Sequence, residues 1–261
     1  MFSPLFQIII PFFLSAIIVI LITIIAEKFG TKVGGILGTL PSTIVIAFLF
    51  IAFNEGETFA SRAAAVVPAE LGINVVFLLV FALLIHRSTL LAFVGTFAVW
   101  SILSASLVLF NMENIQISIV CYIIAVVFAF LILEKRKKIR SAAKRHIHYT
   151  ATKIMFRGIL AGIVIAIAVF LSNFGSVISG IFSVFPAILS STMLISVKEH
   201  GPDFAAGMAK SMLLGLSSVA TYATVIHFLY PIYGIMIGTI IAYALSFCVT
   251  LLIFTLRKKI S

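Results

Sequence analysis

Residues Phe29–Pro41 read FGTKVGGILGTLP, and 145 positions further on Phe174–Pro186 read FGSVISGIFSVFP. Phe29, Gly30, Gly35, Ile36 and Pro41 recur as Phe174, Gly175, Gly180, Ile181 and Pro186. The register holds through the next loop, where Gly56, Phe59, Ala60 and Ala64 meet Gly201, Phe204, Ala205 and Ala209. Further on, VGTFAVW (Val94–Trp100) echoes IGTIIAY (Ile237–Tyr243) at a spacing of 143. Agreement held without a gap from Phe29 to Ala64, then regained in a later segment, marks an internal duplication.

Working outward, the 261 residues are 62% hydrophobic and 10% charged, with a mean hydropathy of +1.28. That is the composition of a polytopic helical membrane protein. The apolar runs are continuous and not alternating, which excludes a transmembrane barrel. The formal charge of +10 raises the question of nucleic acid, but nine of the eighteen Lys and Arg fall between Lys135 and Arg157. A single basic loop between two apolar runs is a topology signal, and no nucleic-acid partner is expected. Cys121 and Cys248 lie inside apolar runs without metal-ligand spacing and read as small packing residues. The run from Leu5 has neither a basic stretch before it nor a small-residue cleavage site after it, so a retained helix is expected.

The apolar runs are Leu5–Ala26, Gly35–Phe53, Phe59–Leu84, Thr89–Phe110, Ile117–Leu133, Ile154–Asn173, Val177–Val197, Phe204–Leu229 and Tyr233–Leu256. Each approaches the ~20 residues a helix needs to cross the hydrocarbon. Lipid offers the backbone no hydrogen-bond partners, so nine transmembrane helices are expected. The basic loop Glu134–Lys153 is assigned to the cytoplasm. Alternation then puts Glu27–Lys32, His86–Arg87, Lys198–Asp203 and Arg257–Lys259 on the same side, and each carries Lys or Arg. The N-terminus, Asn54–Thr58, Asn111–Asn114, Asn173–Gly175 and Tyr230–Tyr233 fall outside; they carry Glu55, Glu57 and Glu113 and no basic residue.

Spans one to four correspond to spans six to nine, and the fifth is the odd helix between them. That one helix inverts the second copy. The expected fold is all-α, a 4+1+4 arrangement of two inverted four-helix repeats: residues 1–112, a linker helix with the basic loop over 113–152, and the inverted copy over 153–261. This is the plan of many secondary transporters.

The first half resembles the small four-helix inner-membrane proteins of the GlpM type. The residues that carry the likeness are the Gly-Ile-Leu-Gly-Thr-Leu-Pro run ending at Pro41, Asn54-Glu55-Gly56, and Ala92-Phe93-Val94-Gly95 with Trp100. It covers about Gly34–Phe110 and extends more weakly into the second half, where Ser183 stands for Gly38 and Ala187 for Ser42. The resemblance implies the four-helix unit and brings no chemistry with it.

The candidate site follows from the segments that resist a continuous helix. Gly30, Gly34, Gly35, Gly38 and Pro41 crowd the start of the second span, and Gly180 and Pro186 occupy the mirrored place. Proline removes a backbone donor and glycine eases non-helical angles, so a broken or re-entrant segment is expected in each copy. Pro41 with Ser42 and Thr43, and Pro186 with Ser190, Ser191 and Thr192, then start fresh helices whose positive ends face a polar or anionic ligand. The competing reading is that these glycines only permit close helix packing.

Glu70 lies near the middle of the third span. A charge there costs about 2.5–3.5 kcal/mol on insertion scales, which marks a residue with a partner or a task. Proton coupling or cation binding is the expected task, with Asn74 extending the polar face and a pair with Arg62, two turns away, as the structural alternative. Lys210 is expected to reach the cytoplasmic edge, or to meet Glu70 or an anionic substrate if it turns inward. Ser218, Thr221 and Tyr222, with His227 beyond them, share a face of span eight at i, i+3, i+4 spacing. His227 itself reads as an interfacial residue.

No nucleotide loop, nucleophile elbow, metalloprotease motif or dinucleotide fingerprint occurs, so neither an enzyme nor a cofactor is expected. The leading reading is a secondary transporter of the inner (cytoplasmic) membrane, N-terminus outside and C-terminus inside, for a small molecule or ion of unspecified identity. Its solute binds between the repeats. A non-transporting scaffold of envelope or lipid assembly and a lipid flippase are the alternatives. Anionic head groups are candidate partners at Lys135–Arg145, and a homo-oligomer is compatible with all of this.

Overall fold

The computed structural model describes residues 4–28, 40–136 and 150–260, and every regular element among them is a helix. In chain order these are α1 (Pro4–Lys28), α2 (Ser42–Glu55), α3 (Glu57–Leu84), α4 (Thr89–Leu109), α5 (Ile115–Leu131), α6 (Ala151–Phe170) and α7 (Ser176–Ser183). The run Ala187–Ile260 is helical save at Gly201 and Gly234, whose φ of 81° and 77° divide it into α8 (187–200), α9 (202–233) and α10 (235–260). Among the described residues six helical runs are long and apolar enough to cross a membrane, and one of them spans Ser176–Ile253 with both bends inside it. The protein is a helical membrane protein.

Local chemistry sets the boundaries. Asn114 caps α5, its Oδ1 accepting from the backbone N–H of Gln116 and Ile117 at 3.0 and 3.1 Å. Gly56 ends α2 with φ 90°, and Gly201 ends α8 with φ 81°. A left-handed residue without Cβ turns the chain there at little steric cost. These two glycines are 145 residues apart, as are the starts of α2 and α8 behind Pro41 and Pro186.

Two expected spans are corrected. The seventh, Val177–Val197, is not one helix: α7 stops at Ser183, and α8 begins at Ala187 after a break over Val184–Pro186. Pro186 lacks the N–H a continuous helix needs, and a residue before proline, here Phe185, is pushed out of helical angles. In the second, described from Leu40 onward, the helix starts only at Ser42, directly behind Pro41.

α3 is the axis of the molecule. Nearly every side chain from Ala60 to Ala82 is buried, whereas α4, α5 and α10 each turn large apolar residues outward, such as Leu90, Ile102, Ile124 and Ile240. Small residues make that possible: Ala63, Ala64, Ala69 and Gly72 let neighbouring backbones come close. α5 crosses at Gly72, where an added Cβ would meet the Tyr122 Cα at 3.2 Å. The Tyr122 hydroxyl in turn bonds the Ser217 hydroxyl of α9 at 2.9 Å.

Two contacts fix helix directions. α1 and α6 run antiparallel, since Gly158 lies against Ala16 and Ile20 while Gly162 lies against Phe12. α3 and α9 are also antiparallel: the Ser61 hydroxyl donates to the His227 carbonyl at 2.6 Å, and His86 Nδ1 lies 3.7 Å from Asp203 Oδ1 at the other end. Loops gather accordingly. At the Glu57 end, Ser172 donates to Glu55 at 3.0 Å and Ser176 bonds Glu113. At the His86 end, Lys153 pairs with Glu199 and Lys210 with Glu134. These are the two groups of loops that the basic residues separate in the sequence.

Candidate functional site

The break between α7 and α8 lies beside the middle of α3. Breaking a helix strands its last carbonyls, and lipid supplies no donor for them. Asn74 fills that need: its Nδ2 donates to the Val184 carbonyl oxygen at 2.8 Å. Asn74 is fully buried, and its Oδ1 has no partner among the described residues.

Next to this bond is a cavity of about 150 Å³. Its walls are apolar side chains of α1, α3, α6 and α9, and its polar lining is Thr23, Ser42, Thr43, Asn74, Arg157 and Ser183. Both helix starts open onto it, α2 through Pro41, Ser42 and Thr43, and α8 through Phe185, Ala187 and Ile188. Proline has no side-chain acceptor, and α2 accordingly carries no side-chain cap. The Ser42 N–H bonds the Leu40 carbonyl at 2.8 Å, and the positive end of that helix dipole faces the cavity. Thr23 and Ser183 satisfy their hydroxyls within their own helices, on the Val19 and Gly180 carbonyls at 2.7 and 2.6 Å. Ser42 and Thr43 make no side-chain hydrogen bond among the described residues.

Arg157 is the one charged residue of the described lining. It projects from α6, and its Nη1 donates to the Thr192 hydroxyl of α8 at 2.8 Å. The sequence reading counted it in the basic topology signal. Its spacing from Lys153, one turn back on an otherwise apolar helix, was the only hint of a separate place.

Glu70 does not line this cavity. It is fully buried against α4, where the Ser104 hydroxyl lies 3.0 Å from both carboxyl oxygens. The expected alternative partner, Arg62, is exposed, and no cation pairs with Glu70 among the described residues. Eight residues on a helix span just over two turns, so Arg62 and Glu70 sit at different depths while their side chains turn to different neighbours. Beyond Ser104 a second cavity of about 210 Å³ opens between α4 and α7, lined by Trp100, Ser104, Ile178 and Phe182 among others. An aromatic wall stands between the two spaces. Phe185 lines the central one, Phe182 and Trp100 the other, and Trp100 packs edge-on to Phe185 with ring centroids 4.9 Å apart.

The remaining candidates distribute as follows. Pro41, Ser42, Thr43 and Asn74 come together at the central cavity, with Pro186 immediately behind its lining residues Phe185 and Ala187. Ser190 and Ser191 turn back onto their own helix, donating to the Pro186 and Ile188 carbonyls. Gly180 is a packing residue, because a Cβ there would stand 2.2 Å from the Ala63 carbonyl oxygen. Lys210 reaches Glu134 and not Glu70. The polar face of span eight does not line the cavity. Ser218 and Thr221 bond to carbonyls of their own helix, Gly215 and Ser217, and the Tyr222 hydroxyl meets Tyr230, which bonds Thr239 of α10 at 2.8 Å. α9 instead presents Met212, Leu216 and Val219 to the cavity. Gly35 and Gly38, and Lys137–Arg145 of the proposed head-group site, lie outside the described residues.

Residues 8–115 match the model of a family described as Protein of unknown function (DUF3147). The matched stretch begins within α1 and ends on the first residue of α5. No curated protein and no solved structure matches the chain.

Proposed function

We propose that the chain is a secondary transporter of nine spans, built as two inverted four-helix repeats around α5, that moves a small solute through the central cavity by alternating access. One observation carries the reading: the two helices that start behind Pro41 and Pro186, 145 residues apart, open onto a single cavity halfway along α3. Discontinuous helices meeting at mid-depth are how many transporters present unpaired backbone groups to a substrate. The antiparallel pairing of α1 with α6 and of α3 with α9 supports the inverted arrangement, because each pair joins segments at equivalent positions of the sequence repeat. The family match, which stops at α5, supports the first four helices as a unit.

In this reading Glu70 couples transport to a proton. Its carboxyl shares α3 with Asn74, one turn away, and touches the helix that holds Trp100 against Phe185. A change at Glu70 thus has a short route through packed side chains to the break at Val184. The basic residues orient the chain with the His86 end in the cytoplasm.

The test is topological and functional together. Tags placed just before Phe29 and just before Phe174 are expected on opposite faces of the inner membrane. Purified protein in liposomes is expected to exchange a small labelled solute. Tags on the same face eliminate the inverted arrangement and, with it, this mechanism.

A further inference from the structure

Glu70 holds an acid halfway along α3, completely buried and without a counter-charge. The polar groups at its carboxyl are neutral: the Ser104 hydroxyl, 3.0 Å from both oxygens, and the indole of Trp100. No Lys, Arg or His among the described residues forms an ion pair with it. A carboxylate out of water is costly unless a positive charge comes close. Ser104 links that acid to open space, because it also lines the cavity of about 210 Å³ between α4 and α7. The rest of the described lining is Trp100, Phe182 and apolar or small side chains, with no charged residue. On the flank of this cavity Ser101, Ala105 and Val108 are exposed, so in a bilayer its mouth meets hydrocarbon and not water.

We infer that the α4–α7 cavity binds a small lipophilic ammonium that enters from the lipid. Its apolar body fills the space between Trp100, Ile178 and Phe182, and its charge lies against Ser104, one hydrogen bond from Glu70. Aromatic rings add to this, since their electron-rich faces attract organic cations. Size agrees with the class. A dry cavity of about 150 Å³ takes benzene, so one of about 210 Å³ has room for a ring with a small ammonium head. An anion of the same bulk is repelled by the carboxylate, and a neutral molecule gains only the apolar contacts. The site is separate from the central cavity and does not need its solute; it shares with the transporter reading only the carboxyl of Glu70.

The experiment uses the purified full-length chain in a non-ionic detergent and reads the fluorescence of Trp100, the single tryptophan of the chain. Three probes of similar bulk are compared at matched concentration in the micelles: phenyltrimethylammonium, its neutral isostere tert-butylbenzene, and the anion benzenesulfonate. Phenyltrimethylammonium is expected to change the emission saturably. Binding of tert-butylbenzene is expected to be about 10–100-fold weaker, and that of benzenesulfonate undetectable. Glu70→Gln is expected to remove the advantage of the cation and to leave tert-butylbenzene as it was, while Glu70→Asp keeps most of that advantage. Ile178→Phe, which fills the cavity, is expected to weaken both probes alike and so separates loss of space from loss of charge. Equal binding of the cation and its neutral isostere overturns the inference. So does a cation preference untouched by Glu70→Gln, or emission that no probe changes. Liposome exchange keeps the two readings apart. Cation binding without solute exchange leaves the site standing and removes transport, and solute exchange without cation binding does the reverse.

Discussion

The side-chain amide of Asn74 and the backbone carbonyl of Val184 are joined at 2.8 Å, in the middle of the most buried helix, where the α7–α8 segment is interrupted. This bond lets a broken helix persist at a depth where no water pairs its free carbonyl. Asn74→Ala and Asn74→Leu are therefore expected to destabilise the protein by about 1–3 kcal/mol. Thermal unfolding in detergent measures this. Melting unchanged from wild type in both variants removes Asn74 from that role.

The glycines divide into two kinds, and alanine distinguishes them. At Gly180 an added Cβ stands 2.2 Å from the Ala63 carbonyl oxygen, so α7 has to move off α3. At Gly56 and Gly201 nothing lies within 4 Å, and the only penalty is positive φ. Both combine positive φ with extended ψ, 165° at Gly56 and 178° at Gly201, so Gly56→Ala and Gly201→Ala are expected to cost about 1–3 kcal/mol each through backbone strain. Gly180→Ala is expected to cost about 1–3 kcal/mol through overpacking and to alter the cavity as well. Exchange of labelled solute by the purified protein in liposomes, unchanged in the first two variants and slowed in the third, checks the distinction.

Glu70→Gln keeps the shape of the side chain and its contact with Ser104 but removes the exchangeable acid. If Glu70 couples transport to protons, the variant should still bind solute and exchange it between the two faces of a liposome. It should no longer accumulate solute when a pH gradient is imposed. Accumulation equal to wild type sinks the coupling role.

Cysteines at Ser42 and Ser183, both lining the cavity, report on access from each side. Cys121 and Cys248 are exposed and must first be replaced by alanine. Membrane-impermeant reagents applied from opposite faces are expected to label the two positions reciprocally, with solute raising one rate as it lowers the other. A position labelled from one face alone, whatever the solute, argues for a static scaffold.

Removing the ring of Phe185 tests the wall between the two cavities. Phe185→Ala deletes the partner that Trp100, Phe97 and Phe182 pack against. Phe185 is only half-buried, so a loss of about 2–3 kcal/mol, below the range for a fully buried Phe, is expected. Substitution by leucine is expected to recover much of it, measured again by thermal unfolding.

Some of this was legible in the chain because its causes are local. Apolar runs of spanning length, basic loops that sort to one end, and prolines that stop helices act within a turn or two of themselves. Pro41 and Pro186 thus announced where α2 and α8 begin. Hydropathy could not reveal the break at Val184–Pro186 as two separate helices, since both halves are equally apolar.

What the chain alone determined is therefore the membrane class, the division of loops into two ends and the two places where a helix starts directly behind a proline. Which polar side chains meet was decided by packing. Arg157 and Lys153 read alike on paper, yet one lines the cavity and the other pairs with Glu199; Glu70 and Asn74 share a helix, yet one faces α4 and the other the broken segment. The reason is that a helix carries its side chains around all sides, one every 100° or so. Rotation about its axis, set by close approaches such as Gly72 on α5 and Gly180 on α3, selects which of them look inward.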